Sequence, residues 1–118
     1  MYVYSFEKLE AWKKSRELTN EIYRLTESYP ESEKFGLINQ MRRGMISVCS
    51  NLAEGSSRGT PKDQGHFYQI SYSSLMEVLN QLIISYDLKY IENSILSELR
   101  ERIRYTSFLI SKLRKSLQ

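Results

Sequence analysis

The sequence predicts an all-α fold: one antiparallel up-down-up-down four-helix bundle built from a single domain, residues 1–118. Four long segments space their apolar residues alternately by three and four, the helical period rather than the strict alternation of strands. Only five glycines and two prolines are present, so the connections must be short. The chain also has the length of one domain, typically about 100–200 residues.

Helix one is predicted from about Phe6 to Thr26, where Leu18, Ile22, Leu25 and Tyr29 follow one stripe and Leu9 and Trp12 lead into it. Pro30 stops it, because proline cannot continue a helix and pushes Tyr29 toward extended geometry. Helix two, about Glu33 to Glu54, carries the seam Ile38, Met41, Met45, Val48 and Leu52. Gly44, Ser47 and Cys49 beside that seam are small enough to let a neighbouring backbone approach. Gly55 suits a left-handed C-cap, and SSRG follows as the link.

Helix three opens on Thr60-Pro61-Lys62-Asp63: a capping hydroxyl, a proline where no N–H is needed, and an acid at the positive helix end. Its stripe runs through Phe67, Ile70 or Ser71, Ser74, Leu75, Val78, Leu82 and Tyr86. Helix four follows YIENS with Ser94 as candidate cap, and Thr106 alone interrupts its stripe of Leu96, Leu99, Ile103, Ile110, Leu113 and Leu117. Tyr2, Tyr4, Phe35, Leu37, Tyr68, Tyr72, Tyr90, Tyr105, Phe108 and Leu109 add apolar surface beyond one such core. Tyrosine is favoured at interfaces because it joins an apolar ring to a polar tip, so a homo-oligomer is expected.

Chemistry is sparsely represented. One cysteine, Cys49, and one histidine, His66, leave no zinc cluster, and no GxxxxGK(S/T) loop, dinucleotide fingerprint or HExxH is present. The expectation is a protein that is not an enzyme and needs no cofactor or metal. The chain has no apolar run of about 18 residues and no basic-then-apolar start, which predicts a cytoplasmic protein without a membrane partner.

The net charge of +3 is unevenly spread: residues 94–118 hold six basic and two acidic side chains. Candidate contacts for RNA, DNA or another protein are Lys13, Lys14, Arg16, Arg42, Arg43, Arg100, Arg102, Arg104, Lys112, Arg114 and Lys115. The competing reading is a solvated surface, since Glu7, Glu10, Glu17 and Glu21 interleave with the helix-one cations and cations also favour helix C-termini.

The stretches FEKLEAWKKS (6–15), LTESYPESEKFGLINQMRRGMISVCSNLAEGSSRG (25–59) and SYSSLMEVLNQL (71–82) resemble a bacterial four-helix-bundle family named after proteins encoded in intervening sequences of large-subunit ribosomal RNA genes. Its most specific pieces are the proline and glutamate before FGL, then Gln40 and Arg42-Arg43, and above all Asn51 to Gly55 with Arg58. Leu52 stands where the family more often has isoleucine. The resemblance implies a homopentamer, and a more distant one to the accessory protein of diversity-generating retroelements points toward nucleic acid.

Within that motif Glu54 is out of place beside the negative end of a helix. One reading ties helices two and three, with the carboxylate accepting N–H groups at the start of helix three or pairing with Arg58 or Arg43, while Asn51 bridges the same contact. The other makes Asn51, Glu54 and Arg58 a ligand site at the bundle end.

Overall fold

The computed structural model describes residues 1–117. Four helices form: α1 (Glu10–Thr26), α2 (Leu37–Ser57), α3 (Pro61–Asp87) and α4 (Asn93–Lys115), with short 3-10 turns at Ser5–Lys8 and Glu31–Glu33. No strand occurs among the described residues. The molecule measures 43 × 27 × 23 Å, its long axis matching a 27-residue α3 at about 1.5 Å per residue. Both α1 and α3 pack on α2 and on α4.

The core is the set of stripes anticipated from spacing. Leu18 and Ile22, Met41, Met45, Val48 and Leu52, Leu75, Val78 and Leu82, and Leu99, Ile103 and Ile110 are all buried. Thr106 is buried too, and its hydroxyl is satisfied by donating to Arg102 O at 2.8 Å. Two aromatic assignments change. Tyr68, expected among the surplus, is core, while Tyr86, expected in the α3 stripe, is exposed and Ser85 takes its inward position. The serine hydroxyl donates to Gln81 O at 2.7 Å, so its burial leaves no donor stranded.

Helix ends differ more from expectation than helix cores. The first helix does not begin at Phe6: Leu9 is extended and separates a 3-10 turn, closed by Tyr4 N–H on Glu7 Oε2 at 2.8 Å, from α1. The second starts at Leu37 rather than Glu33, because Glu33 serves it from outside. Its Oε1 accepts Leu37 N–H at 3.2 Å and its Oε2 accepts the Tyr90 hydroxyl at 2.9 Å, joining the α1–α2 link to the α3–α4 link. The α4 helix starts at Asn93, so Ser94 lies inside it and is not the cap. The α3 start is as anticipated, with Thr60 Oγ1 accepting Asp63 N–H at 3.2 Å and Pro61 in the first position.

Gly55 is the clearest correction. It does not cap α2 in a left-handed conformation; the helix continues to Ser57, and no described glycine has positive φ. Gly55 is buried because α3 crosses there: a Cβ would stand 2.7 and 2.9 Å from Tyr68 ring carbons. Gly44 has the same role about three turns earlier, where a Cβ would meet Val78 Cγ2 at 2.7 Å. Between the two glycines Ser47 and Ser74 share a hydrogen bond at 2.9 Å, and Ser71 donates to Val48 O at 2.7 Å.

Candidate functional site

The motif at the α2–α3 corner has its own local geometry. Glu54 pairs with Arg58, one turn later, at 3.6 Å, with both side chains about half exposed. The Arg58 guanidinium also stacks over the Phe67 ring, 4.9 Å from its centre, and Arg58 O accepts Gln64 Nε2 at 3.2 Å. Of the two arginines anticipated for Glu54, Arg58 is the one found. The α3 N–H groups are not its partners, since Thr60 caps that helix. Asn51 donates to Ser47 O at 2.8 Å and to Ser47 Oγ at 3.1 Å, so its amide reaches α3 only through the Ser47–Ser74 bond.

An exposed Glu54–Arg58 pair of this kind contributes only about 0–1 kcal/mol. The stronger tie is Arg58 itself, whose stem and planar head cover Phe67 while its carbonyl holds Gln64. Asn51, Glu54 and Arg58 are thus held at the corner by local contacts, and Gly55 is a point of close helix approach.

The basic candidates fall into distinct settings. Arg42 is committed to α1: its Nε donates to Thr26 Oγ1 at 2.9 Å, its Nη2 to Tyr23 O at 3.1 Å, and the guanidinium lies over the Tyr23 ring at 4.7 Å. Lys14 pairs with Glu17 at 3.5 Å, Arg104 with Glu101 at 3.1 Å, and Arg16 stacks on Trp12 at 5.4 Å. Arg43 lines a polar groove between α2 and α3 together with Gln40, Ser47, Ser74, Glu77 and Gln81. Lys13 and Arg100 are exposed. Arg102 and Lys112 border separate clefts between α1 and α4.

Arg114 and Lys115 are brought together with a residue that sequence reasoning missed. Lys62, at the start of α3, joins them around one cleft at the end of the molecule. The signal was absent because Lys62 and Arg114 lie far apart in sequence, and only the packing of α3 against α4 places them on one rim.

Cys49 faces α1, its Sγ 3.3 Å from Thr19 Oγ1. Burial pushes its thiol up from the ordinary value, with the Thr19 hydroxyl and Arg16 pulling weakly the other way. A thiol shifted this way has less of the reactive thiolate at neutral pH, in keeping with a packing role.

The sequence profile described as 23S rRNA-intervening sequence protein matches residues 7–112, nearly the whole chain. The protein belongs to this family. In this family member the glutamate before FGL is Glu33, which caps α2 and holds Tyr90. The chain is also similar to a crystal structure of a protein of unknown function from the S23 ribosomal protein family of Bacteroides thetaiotaomicron, with a TM-score of 0.81 at 18% identity over 89% of this chain and 95% of the other. At that identity the likeness concerns the fold. No curated protein matches the chain. Among the described residues no helix is long and apolar enough to cross a membrane.

Proposed function

We propose that this family member is a non-enzymatic scaffold: an antiparallel up-down-up-down bundle that associates with copies of itself, as a homopentamer, and presents the ring to another protein. The order of cross-helix partners supports the antiparallel arrangement. From the start of α2 to its end, the α3 partners run backwards, from Ser85 opposite Met41 to Ser74 opposite Ser47 and Tyr68 opposite Gly55. The α1 partners of α2 run backwards as well, from Thr26 at Arg42 to Thr19 at Cys49. The number five comes from the family resemblance.

Exposed aromatic surface carries the self-association reading. Phe35 is 85% and Phe108 57% exposed, and Tyr2, Tyr4 and Tyr105 remain open as anticipated. Tyr72, Tyr90, Leu37 and Leu109 are partly covered against the core, which narrows the surplus without removing it. Solution mass measured by light scattering at low and high salt is the test. A pentameric mass that survives high salt is expected of an apolar interface, and a persistent monomer overturns the reading.

A second reading, binding of RNA or DNA phosphates, is favoured by one observation: after Glu101 the chain carries no acidic residue, while Arg102, Arg104, Lys112, Arg114 and Lys115 follow.

A further inference from the structure

Where α3 begins and α4 ends, a cleft of about 470 Å³ opens between the two helices, lined by Lys62, Gly65, Ser111, Arg114, Lys115 and Leu117. No acidic residue lines it, and the ion pairs found among the described residues all lie elsewhere. Among the described residues, three like charges thus share one concave site without a counter-ion.

A helix dipole accounts for two of them only. Arg114 and Lys115 sit in the last turn of α4, where cations are favoured. Lys62 sits in the first turn of α3, where a cation is disfavoured, and it is brought toward two further cations. Few α3 backbone donors are left there, because Thr60 already takes the Asp63 N–H and Pro61 has none. Side-chain charge is what the cleft offers.

The floor is open as well. A Cβ on Gly65 would meet only Leu117 Cδ1, at an ordinary 3.7 Å, so nothing in the packing requires glycine there. A longer side chain at this position is accommodated by the helix and projects into the cleft. Compared with Gly44 and Gly55, whose missing side chains admit a neighbouring helix, the missing side chain of Gly65 leaves space.

We propose that this cleft is a phosphate site, in which Lys62, Arg114 and Lys115 converge on one phosphate group and Ser111 supplies a hydroxyl donor. The preferred bearer is a nucleic-acid strand, and in that respect the inference rests on the second reading above. Arginine grips phosphate oxygens through its planar fork, and the two lysines add point charges.

The test titrates the whole protein with tripolyphosphate by calorimetry and with a single-stranded RNA oligonucleotide by fluorescence anisotropy at several salt concentrations. Two variants accompany the wild type: Lys62→Gln/Arg114→Gln/Lys115→Gln removes the charge, and Gly65→Gln fills the space without changing charge. Three phosphate-neutralising cations on a single strand predict a salt slope of about −2 in log K against log salt. Binding of both probes, with that slope, and at least about tenfold weakening by each variant, supports a strand-borne phosphate. Binding of tripolyphosphate alone, abolished by both variants, supports the cleft as a site for a free phosphate compound and sinks the strand. RNA binding left intact by both variants overturns the cleft while sparing the nucleic-acid reading. No binding of either probe by the wild type overturns both. Circular dichroism of each variant separates lost binding from lost fold.

Discussion

The seam between α2 and α3 and the seam between α1 and α4 draw on the same alternation of apolar residues, yet they close to different degrees. Between α2 and α3 the facing positions include Gly44, Ser47, Ser71, Ser74 and Gly55, and four hydrogen bonds cross from helix to helix. A groove of about 510 Å³ also runs along the α2–α3 seam, but the Ser47–Ser74 hydrogen bond crosses it. Three clefts of about 260–290 Å³ lie along α1 and α4, and no hydrogen bond crosses that seam among the described residues. The flanking side chains explain the difference. Glu21, Arg24 and Glu98, then Lys14, Glu17 and Arg102, border the α1–α4 seam. Such side chains lay their stems along the helices and keep their heads in water, which holds the helices apart. Small residues do the opposite.

The largest expected effect breaks the tight seam. An added methyl at Gly55 runs into the Tyr68 ring, and overpacking of this kind costs about 1–3 kcal/mol. Alanine's better helix propensity offsets at most about 1 kcal/mol of that. The expected net loss for Gly55→Ala is about 1–2 kcal/mol, seen as a lower urea midpoint at unchanged slope. At Gly44 the obstacle is Val78, a β-branched side chain with little rotamer freedom in a helix. Gly44→Ala should therefore destabilise the wild type but not the Val78→Ala variant, with a coupling of about 1 kcal/mol or more in the double-mutant cycle. Purely additive losses would mean that the seam has slack after all.

A smaller effect separates the packed residues from the open clefts by pH. Burial raises the Cys49 thiol above its ordinary 9.0, and raises the Tyr68 and Tyr29 phenols above their ordinary 10.0. The unfolded chain then releases these protons first. The stability they contribute is complete below the ordinary values and is lost as the pH rises through the folded ones. The thermal midpoint should fall on the alkaline side, beginning near the thiol value, and Tyr68→Phe should make that fall shallower. An equally steep alkaline limb in Tyr68→Phe would show that the ring on Gly55 is not the group being opposed.

Spacing made the tight seam legible and left its details out of sight. Met41, Met45, Val48 and Leu52 lie where the pattern puts them, since a helix with one apolar stripe has one way to bury it. By sequence Gly55 suits a left-handed C-cap, because glycine adopts positive φ without penalty; what decides its place is Tyr68, and nothing local announces that ring. The Tyr86 exchange for Ser85 has a similar origin, because residues beside a stripe differ by small rotations that packing settles. In the candidate site, Arg114 and Lys115 were visible as charges but Lys62 was not, since its neighbours are supplied by a distant helix. Arg42 shows the opposite: in sequence it is one more free cation, and in the fold Thr26 and Tyr23 hold it.

The smallest expected effect sharpens the comparison from the loose side. Leu25 is partly buried and lines, with Ile95 and Leu99, the cleft of about 290 Å³ near the end of α1. A phenylalanine there adds apolar volume that the cleft can take up, with Arg24 and Glu98 free to move outward into water. Leu25→Phe should change stability by no more than about 0.5 kcal/mol in either direction. The matched enlargement on the tight seam, Val78→Ile, adds a single methylene beside Gly44 and should cost about 1–3 kcal/mol. Chemical denaturation of the two variants side by side reads the difference directly. If both lose the same stability, the α1–α4 clefts are surface relief above a core as closely fitted as the other seam, and side-chain size at the facing positions no longer explains how near two of these helices can come.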